Sequence, residues 1–402
     1  MIKFELIKSI NDLNQRGLLL GSKWSSEQLN GLSPKILNQV CDPEEEKKQF
    51  DFNSNNIESS SPPIGSNEHL KYLLAKSYFD LKEYRRCYDV LVNCKYQLNI
   101  FLRSYSLFLA LEKRKEEDII EQQNQKQQQQ AQQQQAQQQA QQQAQGQDLT
   151  NPDNKNSTNN NNNKFNNARQ VLIESVHKYP CNWSAWCDLA TICSDSADIV
   201  MQLSLPNHFM KDFFLAHFKL ELQQNNESLQ IYQSLVKTFS NSTYILAQTA
   251  IANYNLRAYD VGEEIFERLI ELEPSRLENI DIYSNILYVR DKKASLSMLA
   301  HKAMKIEKYC PETCCIIGNY YSLKLEHDKA IMYFQRALNL NDRYLSAWTL
   351  IGHEFLEIKN VSAAINAYRK AVDINPRVLQ SLVWSRSNLS TIKTTTLLFI
   401  LL

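Results

Sequence analysis

Glycine is scarce, with 8 in 402 residues. Tight β-hairpins depend on glycine at positive φ, so the shortage argues against β-structure and for helices. A basic excess is also missing. Lys and Arg total 44 against 44 Asp and Glu, which removes the electrostatic footprint of a nucleic-acid or membrane-surface protein. None of the nine cysteines (41, 87, 94, 181, 187, 193, 310, 314 and 315) belongs to a CxxC pair, and only Cys310, Cys314 and Cys315 come near ligand spacing. They read as small buried residues of a reduced, intracellular protein rather than as zinc ligands. Long hydrophobic runs are absent. The apolar stretch at 397–402 falls far short of the ~20 residues that span a bilayer, and Lys3 and Glu5 interrupt any secretory leader. The expectation is a soluble protein of nucleus and cytoplasm. There is no HExxH, no phosphate-cradling glycine loop, no G-x-S-x-G and no RING-type Cys/His array. No catalytic residue, cofactor or metal is predicted.

Composition divides the chain into five. Residues 1–67 place Phe4, Leu6, Ile7, Ile10 and Leu13 at helical spacing, then turn Ser/Asn/Pro-rich; residues 68–121 regain helical periodicity through Leu70, Leu73, Leu74 and Tyr78. Residues 122–167 are almost wholly Gln, Ala and Asn. Such a segment cannot bury enough apolar surface to offset its ordering entropy, and it is predicted to be a disordered insert. Residues 168–378 are densely helical, and 379–402 diverge from everything before them.

Self-similarity is the strongest signal. Residues 345–378 carry Trp348, Ile351, Gly352 and Phe355, then Ala364, Tyr368, Ala371 and Pro376, which is the 34-residue pattern of the tetratricopeptide repeat. One period upstream stand Cys314, Ile317, Gly318, Tyr321, Ala330, Phe334 and Ala337. The register holds over 209–242, 243–276, 277–310, 311–344 and 345–378. A column of small residues (Ala216, Ala250, Ser284, Gly318, Gly352) lets two helices approach, and a column of large ones (Tyr232, Phe266, Phe334, Tyr368) fills the space. Less regular copies occur around Ala168, Leu172, Ser175 and Pro180, and in 68–121 around Ala75, Tyr78, Cys87 and Leu91. The predicted fold is all-α: a tetratricopeptide-repeat superhelical solenoid of antiparallel helix pairs, broken by the Gln/Asn-rich insert.

The first helices of the last three repeats, within 277–289, 311–323 and 345–357, contain no Lys or Arg but do contain Glu278, Asp281, Glu312, Glu354 and Glu357. One column at the repeat spacing, Asn285, Asn319 and His353, is polar, with Tyr288 near it. Tetratricopeptide folds turn these helices to a concave groove. A groove so lined should favour an extended peptide carrying Arg or Lys and reject anionic tails. Chaperone-binding members clamp an acidic C-terminus with Lys and Arg that are missing here. A competing reading is that these side chains are solvated or serve neighbouring repeats.

Several runs resemble a particular family, the tetratricopeptide subunit eight of the anaphase-promoting complex (cyclosome), in the cell-division-cycle protein family. They are Cys314 to Leu323 (CCIIGNYYSL), Tyr333 to Leu338 (YFQRAL) and Ala347 to Glu354 (AWTLIGHE), with support from Phe213 to His217 and from Ser22, Lys23 and Trp24. The resemblance implies a non-catalytic scaffold subunit of a ubiquitin ligase acting in mitosis. Its partners would be related tetratricopeptide subunits, a second copy bound through the N-terminal repeats, and activator proteins with a basic N-terminal motif. Carried over residue by residue, it implies that Asn319 and Glu354 face the activator, flanked by Asn285, Tyr288, His353 and Glu357. A co-chaperone or adaptor taking another peptide is the alternative. The family's register continues where this one fails after Pro376 and Arg377, so the tail is expected to reflect a truncated product or a faulty gene model.

Overall fold

The computed structural model describes residues 2–37, 62–63, 66–139, 161–193 and 203–375, with backbone alone over 122–139 and 161–167. Every regular element among them is a helix, and the chain divides into two compact units, Met1–Leu256 and Arg257–Leu402. The first unit contains α1 (Ile2–Gln15), α2 (Leu19–Gly31), α3 (Pro34–Leu37), α4 (Asn67–Asp80), α5 (Tyr84–Val90), α6 (Gln97–Gln139), α7 (Asn161–Lys178), α8 (Trp183–Cys193), α9 (Phe209–Glu221), α10 (Asn225–Val236) and α11 (Thr243–Asn255). The second contains α12 (Tyr259–Leu272), α13 (Ile280–Val289), α14 (Lys293–Ile306), α15 (Pro311–Leu323), α16 (His327–Leu340), α17 (Leu345–Glu357) and α18 (Val361–Ile374).

The two helices of a repeat are joined by one recurring turn. Its centre is a residue in the left-handed region: Lys82, Gln223, Arg257, Asp291, Leu325 and Lys359, with φ between 52° and 64°. The last five are spaced by the repeat period. Around Leu325, the Glu326 N–H donates to Tyr321 O at 3.0 Å and the Leu325 N–H to Ser322 O at 2.9 Å, the Schellman arrangement that satisfies the last carbonyls of a helix. Glycine usually takes that position, and Gly17 (φ 73°) does so between α1 and α2, but none of the six is glycine. The low glycine content accords with the absence of strands among the described residues, and most of these helix turns do without glycine as well.

Within a repeat, packing follows the small and large columns. A Cβ added to Gly318 would lie 2.4 Å from Phe334 Cε1, so only hydrogen fits between α15 and the Phe334 ring. Phe334 is fully buried with Cys314, Cys315, Ala330 and Ala337. Gly352 meets Tyr368 in the same way, at 2.7 Å.

In the first unit, α2 is buried on nearly every side although it is polar, with Ser22, Lys23, Ser25, Ser26, Glu27 and Gln28 all inside. It packs against α1, α4, α8 and α11. Trp24 stacks on Trp183 at 4.7 Å and meets Phe213 and Tyr244 edge-on. At its far end the Ser242 hydroxyl donates to Gln28 Oε1 at 2.7 Å, and the Asn241 N–H donates to Gly31 O at 3.0 Å. On its other side, Arg86 donates to Glu27 (3.0 Å), Glu83 (2.7 Å) and the Tyr78 hydroxyl (2.7 Å), while Lys23 pairs with Glu83 at 2.7 Å. Buried charge persists only when paired and hydrogen-bonded in this way.

Helix α6 runs on to Gln139 and α7 begins at Asn161; in α6 the run of Gln and Ala, good helix formers, extends a helix already begun. Residues 140–160 and the tail 379–402 lie outside the described residues. Among the described residues no helix is long and apolar enough to cross a membrane.

Candidate functional site: a polar ladder across three repeats

Helices α13, α15 and α17 lie side by side in the second unit, each the first helix of its repeat. The 34-residue period places equivalent residues next to one another, and several are hydrogen-bonded across the repeat boundary. Asn319 donates both amide hydrogens, to Ser284 Oγ at 2.8 Å and to Asn285 Oδ1 at 2.7 Å. Ser284 gives its own proton to Asp281 O at 2.6 Å, so it must accept from Asn319. Those two contacts fix the amide orientation and leave Asn319 Oδ1 as an acceptor without a hydrogen bond among the described residues. Farther along, Ser322 Oγ donates to Glu354 Oε1 at 2.6 Å and lies 3.3 Å from the Tyr288 hydroxyl. The other carboxylate oxygen, Glu354 Oε2, is 2.8 Å from His327 Nδ1.

The structure thus brings Asn285, Asn319, Tyr288 and Glu354 into two linked steps of one ladder, and it places them deeper than sequence suggested. Asn319 is 2% exposed and Glu354 4%, whereas Tyr288 is 37% exposed. His353 is not part of the ladder. It turns to its own repeat, 2.7 Å from the Tyr368 hydroxyl. Glu357 is exposed on the last turn of α17. Three members were missed by sequence reasoning: Ser284, Ser322 and His327. Ser322 stands one period after Tyr288 and could have been found from that column. His327 could not, since it comes from a second helix.

The acidic lining also changes in character. Asp281 is 3% exposed, and burial raises its carboxyl above the usual range while hydrogen bonds from Tyr344 and Ser346 pull it back. Burial likewise raises Glu312, which accepts from the Cys310 thiol. Glu278 pairs with Arg276 at 3.5 Å. The first helices are free of Lys and Arg, as read, but a cation from outside them already reaches one carboxylate and a histidine reaches another.

A second group, in the first unit, has donor atoms of mixed type close together: Glu5, Cys181 and His208. Its hydrogen bonding argues against a metal. His208 Nδ1 accepts the Met210 N–H at 3.2 Å, so the ring proton sits on Nε2 and is donated to Glu5 Oε1 at 2.7 Å. A cation at Nε2 would have to displace that proton and its bond to Glu5. Burial pushes the Cys181 thiol up to about 12. The trio is a latch between α1 and the N-cap of α9.

Comparison with known proteins agrees with this architecture. A family model described as anaphase promoting complex subunit 8 / Cdc23 matches residues 1–250, and the tetratricopeptide repeat model matches 311–344 and 345–378, the bounds read from the register. Anaphase-promoting complex subunit 8 of Dictyostelium discoideum is 69% identical over 90% of this chain and 69% of its own length. The Arabidopsis thaliana protein of the same name is 42% identical over 89% of this chain and 66% of its own length. The human cell division cycle protein 23 homolog is 39% identical over 76% of this chain. The matched region spans 49% of that human relative. With a family model over more than half its residues and a relative of this identity, the chain belongs to the anaphase-promoting complex subunit 8/Cdc23 family.

Proposed function

We propose that this chain is a non-catalytic scaffold of the anaphase-promoting complex ubiquitin ligase, acting in nucleus and cytoplasm, and that its second unit docks an arginine-bearing segment of an activator protein. The observation that carries this is the hydrogen-bond inventory of the ladder. The hydrogens of Asn319 and Ser322 are taken by neighbouring repeats, which leaves acceptor capacity at Asn319 Oδ1 and on the Glu354 carboxylate, with the Asn285 amide donors beside them. A guanidinium brings five donors and no acceptor, which complements such a surface. An acidic tail, the guest of the co-chaperone alternative, would be repelled by the Glu354 carboxylate.

The test is binding of a short acetylated peptide with one central Arg to the full chain, against the same peptide with citrulline and a peptide ending in Asp residues. Arg should win. Glu354→Gln should weaken the Arg peptide by ~1.5–3 kcal/mol, the size of a hydrogen bond to a charged group. Preference for the acidic peptide would refute the reading. Association of two copies through the N-terminal helices is part of the same proposal. It is supported by the exposed aromatic face of α6, where Phe101, Tyr105 and Phe108 are 64%, 43% and 55% exposed. Light scattering of Phe101→Glu/Phe108→Glu against the parent chain checks it: a dimer that survives the pair excludes this face.

A further inference from the structure

We infer that His327 is a positioning residue of the docking site, holding the Glu354 carboxylate correctly turned to receive a guanidinium. This rests on the proposed function and adds a residue to it. Glu354 is 4% exposed, and a carboxylate that deep needs a hydrogen-bond donor on each oxygen. Ser322 supplies one, at 2.6 Å; His327 supplies the other, at 2.8 Å, from the first turn of a different helix.

The backbone explains how His327 gets there. Leu325 in the left-handed region (φ 63°) reverses the chain after α15, so α16 opens at His327 against the last turn of α17 in the next repeat. The other charged groups of that turn are engaged elsewhere. Lys329 pairs with Glu326 at 2.5 Å, and Lys324 lies over the Tyr320 ring at 4.4 Å. Asp328 is exposed. His327 is therefore the group on this turn that faces Glu354. Its side chain is one-quarter exposed, and its Nε2 has no hydrogen-bond partner among the described residues.

Removing the imidazole leaves Glu354 Oε2 buried without a donor. The carboxylate then rotates away to find another donor and no longer presents its lone pairs to the guest. A purely architectural contact has no such consequence for charge recognition.

The experiment uses the full chain and the Arg and citrulline peptides. His327→Ala should weaken the Arg peptide about tenfold and bring its affinity close to that of the citrulline peptide. His327→Asn, whose Nδ2 takes nearly the place of Nδ1, should restore the preference. If His327→Ala keeps the parent's preference for Arg, the inference is overturned while the docking reading stands. Equal loss in the Ala and Asn variants, with a matching fall in melting temperature, overturns it in favour of a structural role. A parent chain that binds both peptides alike removes the docking reading and this inference with it.

Discussion

Replacing Gly318 by Ala tests the tightest contact in the second unit. The new Cβ would stand 2.4, 2.7 and 2.8 Å from three ring carbons of Phe334. Carbon atoms rest about 3.5 Å or more apart, so α15 and the ring must separate by about 1 Å. Phe334 is fully buried between the helices of its own repeat and the next, leaving the ring no solvent to move into. Overpacking of this kind costs ~1–3 kcal/mol, here toward the upper end. Against it, Ala is better than Gly within a helix by ~1 kcal/mol. The net expectation is destabilisation by about 1–2 kcal/mol. Amide exchange across 311–344 in the full chain should then quicken roughly 5–30-fold. Phe334→Leu in the Gly318→Ala background should recover part of the loss, since the two changes share one contact. Exchange that slows, as helix propensity alone demands, would refute the close approach. Because Asn319 is the next residue, the same displacement should also loosen its bonds to Ser284 and Asn285.

Leu325→Gly should have the opposite sign. Leu325 holds φ 63° with its side chain 77% exposed, so glycine relieves left-handed strain without emptying the core. A gain of about 0.5–1 kcal/mol in the opening free energy of 311–344 is expected by amide exchange, and a loss would mean the turn is unstrained. The first unit should weaken in acid. Burial holds His217, packed on Trp183 at 5.7 Å, below the usual imidazole range, and burial with the Lys3 charge does the same for His69. A base with a depressed folded pKa contributes stability above its unfolded value of about 6.5 and loses it as pH falls below that. Thermal melts at pH 7.5 and 5.5 should therefore differ, and His217→Gln should narrow the difference. An unchanged slope would exclude His217 as a source.

The repeats were legible because each is forced by packing. Gly318 and Gly352 must be small, Phe334 and Tyr368 must be large, and 34 residues separate the copies. What lay across repeat boundaries was only partly legible. Asn285 and Asn319 share a column and do touch, so periodicity sufficed there. His353 shares the column too, yet Tyr368 in its own repeat captures it, a competition that spacing alone cannot reveal. His327 contributes from the start of a second helix, outside any first-helix column. Helix α2 was the least visible element: most of its buried positions are polar, with Trp24 and Leu29 set among them, so no apolar stripe marks it.

The enclosure of α2 bears on how the chain is made. Gln28 and the Ser242 that holds it are 214 residues apart in sequence. At ribosomal rates of ~5–20 residues per second, α2 leaves the exit tunnel roughly 10–40 s before α11 exists to cover it. An apolar helix in that position would spend the interval exposed and prone to misassociation. A helix whose buried face carries Ser22, Lys23, Ser25, Ser26, Glu27 and Gln28 can wait in water, which accounts for so polar an interior element. The delay makes the first unit a late-closing structure, with its earliest segment fixed in place only once residues near 242 have been synthesised.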